Sequence, residues 1–145
     1  MFINVKKLNE NARLPFRATP GSAGADLFAC VDADVLVQPQ ERILIPTGIA
    51  IELESPEVGA FIFPRSSLSS KFGISLANCV GVIDSDYRGE IKVPVINHSK
   101  EPYVIRDGER IAQMVILPIV LPTFCEVNEL SETERADGGF GSTGI

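Results

Sequence analysis

The chain has 145 residues, 45% apolar and 22% charged, with a formal charge of −6 from 13 basic and 19 acidic residues and a mean hydropathy of +0.17. This length and apolar content suit one folded domain and exclude a disordered or collagen-like chain. The acidic balance argues against a DNA or RNA surface, which needs a basic face, so an anionic ligand must be met by local Arg side chains, backbone amides or a metal.

In chain order, short apolar runs between turn residues predict strands at residues 3–7, 35–38, 43–46, 49–54, 58–63, 80–83, 91–96, 103–105, 111–117 and 124–127. In the run at 49–54, Ile49, Ile51 and Leu53 alternate with Ala50, Glu52 and Glu54, the period of a half-buried strand. Ile91, Val93 and Val95 alternate in the same way, and Pro94 within that run suggests an edge or a bulge. One short helix is expected at Ser66–Phe72, with Ser66 capping its start and Gly73 its end. Many short strands and almost no helical period give an all-β sandwich or barrel. Residues 131–145, SETERADGGFGSTGI, are rich in Gly and poor in apolar weight, so the expected division is a β-rich domain at 1–130 and a Gly-rich arm at 131–145.

The longest apolar stretch, IAQMVILPIVL at 111–121, is too short for a bilayer span and is broken by Pro118. The N-terminal segment has no apolar core of the secretory kind. Cys30, Cys79 and Cys125 are odd in number and lack CxxC spacing, so small core residues in a reducing cytoplasm are expected. Positive hydropathy at this size favours burial of surplus apolar surface in an oligomer.

Three segments hold chemical groups. DSDYRGE at 84–90 reads as a hairpin tip. It is either a solvated turn or the seat of a carboxylate that acts as general base on water, with Tyr87 packing on a sugar or base ring. PRSSLSSK at 64–71 is either a capped surface helix or an anion site, in which Arg65 and the hydroxyls of Ser66 and Ser67 meet phosphate at a helix start. GGFGSTG at 138–144 is either a frayed end or a second anion site, with glycines admitting backbone amides close to an anion. His98 is the only histidine and reads as a loop residue, and no GxxxxGK excludes a P-loop. A carboxylate, two anion sites and two aromatic rings together suggest a nucleotide with a metal bridging its phosphates.

Five stretches in this order, SAGADLFA (22–29), FPRSSLSSKFGI (63–74), NCVGVIDSDYRGEIKV (78–93), DGERIAQMVILP (107–118) and RADGGFGSTG (135–144), resemble the motifs of the trimeric dUTPases. The resemblance implies a jelly-roll-like β-clip subunit and a homotrimer whose three sites each combine three chains. One chain gives the first, second and fourth motifs, another the third, and the remaining one the arm. It implies hydrolysis of dUTP to dUMP and pyrophosphate with Mg²⁺, which limits uracil in DNA and supplies dUMP for dTMP synthesis. By position, Asp84 resembles the base that activates water, and Asp26 the carboxylate that holds Mg²⁺ through water. Arg65, Ser66 and Gln113 resemble the phosphate and water ligands, with Ser67 and Lys92 also placed at the substrate. Asn78 and the backbone of Val82, Ile83 and Asp84 resemble the uracil-reading hairpin, and Tyr87 the ring beneath deoxyribose. Arg135, Phe140, Gly141, Ser142 and Thr143 resemble the closing arm. Two positions depart from the pattern, which has Gly where this chain has Ser67 and Ala136. The rivals are a dCTP deaminase and a non-catalytic nucleotide-sensing module on the same fold.

Overall fold

A computed structural model describes residues 2–138 and builds them mostly from antiparallel strands. The first half holds β1 (Asn4–Lys7), β2 (Ala25–Phe28), β3 (Val35–Val37), β4 (Arg42–Pro46), β5 (Ile49–Glu52) and β6 (Val58–Pro64). Then follow α1 (Ser66–Phe72), β7 (Ile74–Leu76), β8 (Gly81–Ile83), β9 (Lys92–Asn97), β10 (Tyr103–Ile105) and β11 (Arg110–Pro118). The largest sheet runs β2-β11-β6-β8, a second runs β4-β9-β7, and β1-β5 and β10-β3 form two-stranded ribbons. The all-β expectation holds, with one helix among the described residues.

Side-chain alternation sets which face is buried. Ile91, Val93 and Val95 are fully buried while Lys92 is exposed and Pro94 and Ile96 are half-buried. These residues join Leu27, Val37, Ile45, Ile49, Ile74 and Ile105 in one apolar cluster between the sheets. In β5 the alternation fails because Ala50 is buried along with Ile49 and Ile51. Asn97 is buried without cost because its amide donates to the carbonyls of Val37 and Glu101 and its oxygen accepts from Ser99.

Pro94 sits in the middle strand of its sheet rather than at a sheet edge or a bulge. Its missing N–H is tolerated because the pairing with β7 stops there. Ala77, one residue past β7, donates to the Pro94 carbonyl at 2.7 Å, and the return bond that a proline cannot make is the point where β7 ends.

Four expectations need correction. Residues 124–127 form no strand and lie exposed, and no strand among the described residues pairs with them. Ser66 does not cap α1. Arg65 holds the N-cap position in extended conformation with no side-chain cap bond, whereas Gly73 closes the helix in the left-handed region at φ 69°. Residues 84–90 are not a hairpin tip: β8 pairs with β6 and β9 with β4 and β7, so the segment crosses between two sheets. Only Cys30 is a core residue, since Cys79 and Cys125 are exposed. Strands β2 and β7 are additional to the expected set.

Candidate active site

Two groups of functional side chains emerge from this framework. The first is built on the central strand of the largest sheet. β11 aligns Gln113 with Asp26 of β2 on one side and with Phe63 of β6 on the other, so the three residues form one cross-strand row on one face. Arg65 lies two residues beyond Phe63, which returns it to that face as β6 gives way to α1. Its Nε donates to Asp26 Oδ1 at 2.9 Å.

Arg110 completes the group by an irregularity. Residues 110 and 113 are an odd number apart and would face opposite ways in a regular strand. The register of β11 on β2 shifts between Arg110 and Ala112, and this bulge brings Arg110 opposite Phe28, on the same face as Asp26. Arg110 Nη1 then donates to Asp26 Oδ2 at 3.1 Å. Gln113 is oriented by two neighbours. Its Nε2 donates to the Pro64 carbonyl at 3.0 Å, and Gly24 leaves space for its Oε1, which a Cβ there would approach to 2.6 Å.

Asp26 is nearly buried and both its oxygens are engaged by guanidinium groups, yet each oxygen retains a lone pair. One such carboxylate does not form an inner coordination shell for a metal. Its free lone pairs suit contact through water with a hydrated cation such as Mg²⁺, which keeps several waters and takes few protein ligands. Arg65 still has unused N–H groups, and Ser66 and Ser67 lie exposed at the first turn of α1.

The second group lines a cavity of about 530 Å³, of the size that holds a small ligand. Ile62 of β6 and Leu76 of β7 give it an apolar base, and Gly81 lets β8 approach β6 closely, since a Cβ there would lie 3.2 Å from Ile62 Cβ. Asn78, Val82, Ile83, Asp84, Tyr87 and Lys92 supply its remaining walls together with Leu44, Glu90 and Pro94. Asp84 sits just past β8 with its side chain exposed. A turn closes behind it, with the Tyr87 N–H donating to the Asp84 carbonyl at 3.1 Å. The preceding turn carries Cys79 at φ 61°, a left-handed conformation that costs a non-glycine residue about 1–3 kcal/mol and is typical of functional loops.

The structure therefore brings Asn78, Val82, Ile83, Asp84, Tyr87 and Lys92 together, and Asp26, Arg65 and Gln113 together, but does not join the two sets. None of Asp26, Arg65, Ser66, Ser67 or Gln113 lines the cavity. Arg135 is exposed beyond both, with its Nε donating to the Gly138 carbonyl at 2.9 Å. Phe140, Gly141, Ser142 and Thr143 lie outside the described residues. Sequence reasoning gave no role to Arg110 or Glu90. Both fall inside quoted motifs, but the bulge that aims Arg110 leaves no mark in residue spacing.

A family model described as dUTPase matches residues 10–144. A deoxyuridine 5'-triphosphate nucleotidohydrolase of Desulfitobacterium hafniense is 57% identical over 133 residues, covering 92% of this chain and 88% of the relative. Among solved structures, a mutant dUTPase of Staphylococcus bacteriophage 80alpha with dUpNHpp is similar at TM-score 0.85 and 30% identity, covering 99% of each chain. A mutant dUTPase from phage phi11 of S. aureus, described with a structural Mg(II) ion, is similar at TM-score 0.82 and 27% identity, covering 91% of this chain and all of the other.

Proposed function

The chain belongs to the dUTPase family, and from that premise we propose how its own residues hydrolyse dUTP to dUMP and pyrophosphate. The observation that carries the proposal is the cavity with an apolar base and the Asp84 carboxylate exposed at its wall.

Uracil enters the cavity against Asn78 and the backbone of Val82, Ile83 and Asp84. Fixed backbone groups pair with its polar edge, so a cytosine ring, which presents a donor where uracil presents an acceptor, leaves a bond unmade. Tyr87 lies beneath the deoxyribose, and Lys92 adds positive charge. Asp84 orients a water and takes its proton as the water oxygen attacks the α-phosphorus. The bond from that phosphorus to the bridging oxygen breaks, and pyrophosphate leaves.

Arg65, Ser66, Ser67 and Gln113 meet the phosphates and the water. Asp26 holds Arg65 and Arg110 in place and carries a free lone pair on each oxygen, which suits it to a hydrated Mg²⁺. That ion supplies charge neutralisation for the triphosphate, which an acidic chain otherwise repels. Arg135, Phe140, Gly141, Ser142 and Thr143 form an arm, residues 131–145, that closes over bound nucleotide from the β-rich unit at 1–130.

Because the two residue sets are separate within one chain, we place the complete site between chains, in the homotrimer that the dUTPase family implies. The segment after β11 supports this, since Val120, Phe124 and Leu130 are 88%, 92% and 86% exposed in the single chain. Apolar side chains this exposed are suited to cover by a neighbouring subunit. Three cysteines without a disulfide among the described residues fit a cytoplasmic setting.

The test compares pyrophosphate release from dUTP and ammonia release from dCTP, for the native chain and for Asp84→Asn. The native chain releases pyrophosphate and no ammonia. Asp84→Asn keeps size but removes basicity, so turnover falls by roughly 10²–10⁴ while nucleotide binding persists. Native turnover in that variant would refute the role given to Asp84.

A further inference from the structure

Glu90 has no part in the proposed chemistry, yet it lines the cavity and joins it to the rest of the fold. Its carboxylate bridges two elements: Oε1 accepts the Gly48 N–H at 2.9 Å, and Oε2 pairs with Lys92 Nζ at 3.4 Å. Its backbone carbonyl accepts the Tyr87 hydroxyl at 3.0 Å. Tyr87 in turn donates its N–H to the Asp84 carbonyl at 3.1 Å. A continuous set of bonds thus runs from Gly48 through Glu90 and Tyr87 to Asp84.

The Gly48 end of this set is rigid. Gly48 has φ 66°, and a Cβ there would come within 2.8 Å of Ala12 Cβ and 2.9 Å of Cys30 Sγ, so the turn between β4 and β5 is packed from two sides. Thr47 donates both its N–H and its hydroxyl to the Ile91 carbonyl, at 3.3 and 2.6 Å. The Ile91 N–H donates to the Ile49 carbonyl at 2.9 Å. The residue after Glu90 is therefore held by three bonds, while the loop before it is exposed at Asp84, Asp86, Tyr87 and Arg88. Gly89 adds a second constraint. A side chain there would overlap the Tyr87 hydroxyl, so the ring lies folded over the backbone of the loop.

From this geometry we infer that Glu90 is a positioning residue that sets the plane of the Tyr87 ring and, through it, how strictly the site excludes a 2′-hydroxyl. The inference rests on the reading that places Tyr87 beneath deoxyribose. Exclusion by lack of space is sensitive to small displacements, and a ring released from its support yields room for one oxygen atom. The pair between Glu90 and Lys92 does not explain the residue by itself, because ion pairs this exposed contribute little to stability. The bond to the Gly48 N–H is different in kind, since a carboxylate accepting from a fixed backbone donor is strong and directional.

The experiment measures kcat/KM for dUTP and for UTP with the full-length assembled protein and with Glu90→Ala, Glu90→Gln, Tyr87→Phe and Tyr87→Ala, alongside thermal unfolding. Glu90→Ala lowers the preference for dUTP over UTP by roughly tenfold, through a gain with UTP as well as a loss with dUTP. Tyr87→Phe, which removes only the bond to the Glu90 carbonyl, moves the preference in the same direction. Glu90→Gln retains the preference because its amide oxygen still accepts from Gly48. A purely structural role would lower the unfolding temperature of Glu90→Ala and leave its preference within about twofold of the native value, and that result overturns the inference. Tyr87→Ala separates the two levels. If it collapses the preference and Glu90→Ala does not, only Glu90 is misassigned. If Tyr87→Ala also leaves the preference intact, the sugar contact of Tyr87 falls and the inference falls with it.

Discussion

Replacing Asp26 by Asn tests the clamp that holds Arg65 and Arg110. The substitution conserves shape and removes one charge from a side chain that is 12% exposed and bonded to Arg65 at 2.9 Å and Arg110 at 3.1 Å. The amide oxygen satisfies one guanidinium, but the amide nitrogen then faces the other, donor against donor. Removing one partner of a fully buried pair costs about 3–5 kcal/mol, and a surface pair contributes about 0–1 kcal/mol. The side chains of Arg65 and Arg110 are 21% and 47% exposed, so this site falls between those limits. A loss of about 2–3 kcal/mol follows, and for a chain of this size it lowers the unfolding midpoint by roughly 4–12 °C. Calorimetry at low and high salt is the assay, and the drop persists at high salt because a largely buried carboxylate is poorly screened. Turnover falls by roughly 10²-fold if Arg65 loses its aim by about an ångström. Arg110→Gln, which leaves Arg65 paired, does less on both measures. A midpoint within about 2 °C of native together with normal turnover would refute the view that Asp26 organises this cluster.

Three further outcomes are expected. Light scattering at micromolar concentration gives a mass about three times the 15.7 kDa of one chain, and a fully active monomer would contradict the shared site. Truncation after Glu134 leaves a folded assembly that still binds dUMP but hydrolyses dUTP poorly. Steady-state hydrolysis beside a thermal melt decides this, and normal turnover would reduce the arm to a frayed end. Burial, with the Asp107, Glu90 and Asp32 carboxylates nearby, pushes the Cys30 thiol above its ordinary value of 9.0. A raised value means that the unfolded chain loses this proton first, so the associated stability is complete below about pH 9 and declines as pH rises further. Unfolding midpoints measured across that range fall more steeply for the native chain than for Cys30→Ala.

Part of the fold was legible because burial in β4 and β9 follows strict alternation, although β5 and β6 depart from it. The runs around Ile91, Val93 and Val95 and around Ile43 and Ile45 carry that period without interruption. β2 was hidden because Ala25 and Asp26 open a strand of four residues whose buried members include a charge. β7 was hidden because its three residues follow directly on the glycine that ends α1. The run at 124–127 has strand composition but no partner among the described residues, and composition alone does not supply one. Pro94 suggested an edge or a bulge, yet it lies in the middle strand, where the pairing with β7 stops at its position. For the candidate site, the sequence named residues that the structure gathers into two sets, whereas the crossing of 84–90 between sheets and the bulge at Arg110 are properties of register. Register depends on residues far apart in the chain, which local spacing does not encode.

The separation of the Asp26 cluster from the cavity has a genetic consequence. If sites form only between subunits, a chain lacking Asp84 and a chain lacking Arg65 are each inert alone, yet a mixed assembly contains junctions where an intact cavity meets an intact cluster. Two dead parents then yield living offspring by subunit exchange. The converse also holds, because one faulty chain among healthy ones damages a site whose other parts belong to its neighbours. Harm of this kind spreads beyond the faulty copy, so in a cell carrying two versions of the gene the defective version is felt even where the sound one is fully expressed.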